Sequence, residues 1–116
     1  MRRNAFTVQL EHFLNRVYDH VYPGIKVLVP RRQTEILSIR ENGDIVYLVA
    51  SAYRKTLSRT ELADVFMHLD NGPVSTAKMR QIVTPARTCN VSTIKWILQR
   101  CDLARQDDGR YWVRNW

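Results

Sequence analysis

From Ser58 onward the chain is cut by stop and start signals that few folds can satisfy at once: Ser58-Arg59-Thr60-Glu61, Asn71-Gly72-Pro73, Pro85 and Asp107-Asp108-Gly109. The first is a capping box, in which Ser58 accepts from the backbone N–H of Glu61 while Glu61 reaches back, so a helix starts there. Leu62, Val65, Phe66 and Leu69 give that helix one apolar face, and Asn71-Gly72-Pro73 ends it. A second helical stretch runs from Ser75 to Val83 with Ala77, Met79, Ile82 and Val83 as its apolar members, and Pro85 closes it. A third starts at Asn90 or Val91 and reaches Asp102. At about 100° per residue Val91, Ile94, Ile97, Leu98 and Cys101 share one side, Ser92, Trp96, Gln99 and Arg100 the other, and Lys95 the flank. Leu103 to Gln106 and Arg110 to Arg114 then read as two strands around the Asp-Gly turn. Strict alternation puts Tyr111 and Val113 toward the core and Arg110, Trp112, Arg114 and Trp116 away from it.

The preceding half reads differently. Asn4 to Val21 carries Phe6, Leu10, Phe13, Leu14, Val17 and Val21 at helical spacing, and Pro23-Gly24 stops it. From Lys26 the pattern turns to β, with KVLVP and then two branched-apolar arms around Asn42-Gly43, a pair suited to the positive φ of a type I′ hairpin turn. The register stays open: Leu37 and Ile39 can share a face with Val46 and Leu48 or with Ile45 and Tyr47. Arg31-Arg32 and Arg54-Lys55 flank the arms, as solvated strand ends first and as phosphate contacts second. The fold class is therefore α+β, with an N-terminal helix and β-hairpin subdomain over residues 1–55 packed on a three-helix and hairpin unit over 56–116. At 116 residues the boundary is a seam in one compact protein.

Bulk properties narrow the function. No apolar run approaches the roughly 20 residues of a membrane span, and the opening MRRNAFTVQLEHFL lacks a leader's uninterrupted apolar stretch, which points to an intracellular protein, cytoplasmic or nuclear. Cys89 and Cys101 fall within one helical motif and read as reduced thiols. His12, His20, His68 and the cysteines form no metal-ligand spacing, and the acids Glu41 and Asp44 flank a turn where polar residues are expected, so no metal, no cofactor and no enzymatic activity is expected. The net charge of +7 rests on 14 Arg and only 4 Lys, the composition suited to bidentate contacts with phosphate or guanine.

Three helices followed by a β-hairpin, with the pattern V-S-x-x-x-x-x-L-x-x-x-x-L-x-R-x-x-x-G-R-Y-x-V from Val91 to Val113, resemble the winged helix-turn-helix family over about residues 57–116. The resemblance implies a recognition helix at Val91–Asp102 contacting nucleic acid through Ser92, Thr93, Lys95, Trp96, Gln99 and Arg100, and a wing contacting it through Arg105, Arg110, Trp112 and Arg114. Thr84 to Cys89 is longer than that family's usual turn, and Asp107-Asp108 at the tip favours contact along the wing's side. The expected function is that of a small basic double-stranded DNA binder, a transcriptional regulator, with homodimer formation through the N-terminal elements. The rival is a protein-interaction module, an adaptor, assembly subunit or inhibitor docking through Trp96 and Trp112, since aromatics and Arg also anchor protein interfaces. RNA binding, with aromatics stacked on unpaired bases, is a third reading. The size and Arg-rich composition suit a viral or mobile-element protein.

Overall fold

A computed structural model describes residues 5–29, 32–50, 52–83 and 89–116. The architecture is α+β, with four helices and two antiparallel sheets among those residues. Helix α1 (Ala5–His20) leads into strands β1 (Lys26–Val29), β2 (Arg32–Ile39), β3 (Ile45–Val49) and β4 (Tyr53–Leu57), which pair in chain order as one sheet. Helix α2 (Arg59–Asn71), strand β5 (Val74–Ser75), α3 (Thr76–Ile82), α4 (Cys89–Arg100), β6 (Ala104–Asp107) and β7 (Tyr111–Arg114) follow, and the second sheet has the order β5-β7-β6. Arg31 and residues 84–88, which hold one of the basic pair and most of the turn before α4, lie outside the described residues.

The helical expectations hold closely. The capping box at Ser58 and Glu61 is formed, with Glu61 N–H donating to Ser58 Oγ at 3.1 Å and Ser58 N–H donating to Glu61 Oε1 at 3.2 Å. Leu62, Val65, Phe66 and Leu69 are buried as the periodicity predicts. Ser75 caps α3 in the same way, accepting from Lys78 N–H at 3.0 Å.

Two readings of the β elements are corrected, and the register left open between them is resolved. The N-terminal hairpin is part of a four-stranded sheet, because Tyr53–Leu57 pairs along β3 from Ile45↔Leu57 to Val49↔Tyr53. Its run YRKTL has exposed charges at Arg54 and Lys55, which mask an edge strand in the sequence. The register is set by a bulge between Ile36 and Ser38, so Ile36, Ile45 and Tyr47 are buried while Glu35 faces Leu48 on the other side. The turn is not type I′: Gly43 has φ +94° but Asn42 does not join it in the left-handed region. Gly43 N–H donates to Arg40 O and Arg40 N–H to Asp44 O, both at 2.9 Å, which closes a three-residue loop with glycine in its positive-φ place.

That loop is fastened to α1. Tyr18 Oη donates to Gly43 O at 2.7 Å, and a Cβ on residue 43 would lie 2.5 Å from that hydroxyl and 2.9 Å from Arg59 Cδ. Gly43→Ala is expected to lower stability by about 2 kcal/mol or more, combining left-handed backbone strain with displacement of Tyr18. Adding Tyr18→Phe, which removes the clashing oxygen, should recover part of that loss in a urea titration. Additivity of the two changes would show that they do not meet.

The interior is one cluster drawn from both halves. Phe13, Leu14, Val17 and Val21 of the first helix and its end join Ile36, Ile45 and Leu57 of the first sheet, and Phe66, Leu69, Ile94, Ile97 and Trp112 beyond it. Phe13, Phe66 and Trp116 form an aromatic trio with ring centroids 5.2 to 5.7 Å apart. Helix α4 packs against β1 and β4 on one side and β6 on another.

Candidate nucleic-acid interface

That double packing decides which side chains of α4 reach its surface. A helix that buried one stripe only would leave Trp96 outside, but α4 packs on β1 and β4 as well as on β6. Trp96 is 8% exposed, so the outward placement expected of it is corrected, and Thr93, to which the resemblance assigned a contact, is 2% exposed. Ser92 and Gln99 are exposed, Lys95 is half-buried between them, and the three positions lie at i, i+3 and i+7 on one stripe about 10 Å long.

Arg100 is exposed at the end of α4, but its guanidinium is engaged in the fold. Its Nε donates to His20 O at 2.7 Å, and its Cζ stands 5.9 Å from the centroid of Tyr22 and 5.5 Å from that of Trp96. A reciprocal bond runs the other way, from Arg16 Nε to Cys101 O. Each helix therefore has its last carbonyls capped by an arginine of the other, a favourable pairing of cation with the negative end of a helix.

In the hairpin the expected strand phase is reversed. Trp112 is 1% exposed and Tyr111 48%. Both faces of β7 carry apolar groups, so alternation alone cannot select one; β5 pairs Val74 with Trp112, α2 packs on β7, and the larger ring takes the interior. Arg114 Nη1 bonds to Asp70 Oδ1 at 2.8 Å and to Asp70 O at 2.7 Å, and Trp116 Nε1 reaches the same carboxylate at 3.0 Å. Arg105 Nη1 donates to Asn115 Oδ1 at 2.8 Å. Two of the three arginines assigned to the wing thus brace it, and Arg110 stands exposed beside the Asp107-Asp108 turn.

The structure adds a residue that sequence reasoning passed over. Arg80 is exposed on α3, close enough to Lys95 for the two charges to repel. Burial holds the Lys95 ammonium below its ordinary value, and the Arg80 charge lowers it further. Lys78 and Gln81 are exposed on the same short helix. The signal was present as Lys78-Met79-Arg80, two cations flanking a buried methionine, but nothing in the linear pattern tied it to Lys95. Ser92, Lys95 and Gln99 therefore form a polar stripe on α4 with the Arg80 charge of α3 near Lys95, and such groups can meet phosphate oxygens and base edges.

Among the described residues no group of three or more His, Cys, Asp or Glu gathers as a metal site, and no helix is long and apolar enough to cross a membrane. Comparison with protein-family models, curated proteins and solved structures finds no match for the chain.

Proposed function

We propose that residues 56–116 form a winged helix-turn-helix and that the chain binds double-stranded DNA through the α3–α4 surface, as a transcriptional regulator. The order of three helices and then a hairpin, α2, α3, α4, β6 and β7, supports the fold. The observation that supports the DNA reading is the polar stripe of α4, with exposed Ser92 and Gln99 beside Lys95, and the charge of exposed Arg80 near enough to lower the Lys95 value; a phosphate bound there would offset both cations. Ser92 and Gln99 take the base-reading role, and Arg110 the wing contact. Trp96 and Trp112 are interior residues and offer no docking anchors for the rival protein-interaction reading.

Duplex binding measured by fluorescence anisotropy across a salt series is the test. Arg80→Ala and Lys95→Ala are each expected to weaken binding and to flatten the log–log salt slope by about 0.9, the loss of one phosphate contact. Arg100→Ala should lower stability and leave that slope unchanged. Affinity should fall as pH rises through the lowered Lys95 value, below the ordinary 10.5, because the neutral amine no longer offsets a phosphate. Lys95→Arg, charged throughout, should lose that pH dependence. Absence of duplex binding at low salt, or equal salt slopes in all four proteins, would overturn the reading.

A further inference from the structure

Away from the α3–α4 surface, a groove of about 420 Å³ opens between α1 and the segments that precede β6 and follow β7. Its size is that of a small-molecule site, typically roughly 300–1,000 Å³. Phe13, Leu103 and the Trp116 ring supply apolar wall, and His12, Arg16 and Asn115 supply polar atoms. Phe13 and Leu103 are buried, whereas Trp116, which also lines the groove, remains 37% exposed.

The charges in the groove are unevenly committed. Asp102, the acid in its wall, accepts from Asn115 Nδ2 at 3.2 Å. Arg16 spends its Nε on Cys101 O, and its terminal nitrogens are bonded to none of the described residues. A guanidinium held at one nitrogen presents the rest of its fork in a fixed direction, the geometry that receives a carboxylate.

We propose that this groove binds a small aromatic carboxylate, its ring against Trp116 and Phe13 and its charge on the Arg16 fork with His12 beside it. The Trp116 ring is already oriented by its stacking on Phe66, at 5.2 Å and 22°, and by its bond to Asp70. Arg16 is likewise fixed by the α4 carbonyl, so little ordering is needed on binding. An amine in the same place would meet Arg16, and an aliphatic acid would leave the indole face uncovered. This site does not depend on what α4 binds.

Benzoate is the probe, with benzylamine and acetate as controls, and the readout is the Trp116 indole N–H resonance in the ¹⁵N-labelled 116-residue chain. Benzoate should shift that resonance saturably with an affinity tighter than about 10 mM, and neither control should. Arg16→Gln, which keeps one donor for Cys101 O, should weaken benzoate binding about tenfold, the loss of a charge-assisted bond. Asp102→Asn should strengthen it. The proposal fails if benzoate leaves Trp116 unmoved, or if benzylamine binds as well as benzoate; both comparisons need only the unmutated chain, so a poorly folding variant does not remove the test.

Discussion

Trp112→Ala is expected to lower stability by about 3–5 kcal/mol, enough to unfold much of a small domain's population. Trp112 heads the fully buried side chains by volume, at 1% exposure, and alanine would leave a cavity between β7 and the helices that cover it. Tyr111→Ala is the matched control: half-exposed on the other face of β7, it should cost less than about 1 kcal/mol. Equal losses in a urea titration, or a larger one at Tyr111, would overturn the observed strand phase. Trp112→Phe should fall well short of the alanine loss. Phenylalanine keeps most of the apolar contact, and it removes an indole Nε1–H that is buried with no hydrogen-bond acceptor among the described residues.

That strand shows where sequence reasoning reaches and where it stops. Helices were legible because capping and apolar spacing act over three or four residues: Ser58 and Glu61 announce α2, and Leu62, Val65, Phe66 and Leu69 announce its face. The phase of β7 is decided by partners far away in sequence, Val74 on β5 and the α2 surface. The same holds for β4, whose exposed Arg54 and Lys55 resemble a loop until Ile45 and Val49 pair with their neighbours. Local signals determine elements; which face of an element is covered depends on everything packed around it.

The candidate surface was half legible for the same reason. Ser92 and Gln99 lie on the outward side that helical periodicity predicts and are exposed, and Lys95, on its flank, is half-buried. Trp96, placed on that same side, and Thr93 are buried, in a helix that packs on β1 and β4 as well as on β6. Arginines were the least legible. Arg100, Arg105 and Arg114 are long enough to reach carbonyls and carboxylates 80, 10 and 44 residues away, so their count overstates the charge free to meet a ligand. Arg80 errs in the other direction, reaching the surface beside Lys95 from a separate helix.

Asn90 carries the other large expected effect, and nothing in the linear pattern distinguishes it from an ordinary polar residue at a helix start. It is 1% exposed, and its amide joins three elements: Nδ2 donates to Thr56 O on β4 and to Glu61 Oε2 on α2, both at 3.0 Å, while Oδ1 accepts from the Tyr47 hydroxyl on β3. Asn90→Leu, similar in size, would remove all three bonds and leave a buried carboxylate, a carbonyl and a hydroxyl each short of a partner. The expected loss is at least about 3 kcal/mol, since an unmade buried bond costs about 1–3 kcal/mol and more when the group is charged. Asn90→Asp is the sharper test, because it sets a second carboxylate against Glu61 in the interior. Repulsion and burial would raise the folded-state pKa of the pair above the unfolded carboxylate values of about 4. The protonated form is then the stable one, so stability should be greatest at acid pH and be lost as pH rises through the raised value. Chemical denaturation of Asn90→Asp at about pH 4 and pH 7 should therefore show the more acidic sample to be the more stable, the reverse of what a buried, paired carboxylate would give. Equal stability at the two pH values would mean that the new carboxylate and Glu61 do not meet, and that the amide does not join α4 to α2 and the first sheet as described.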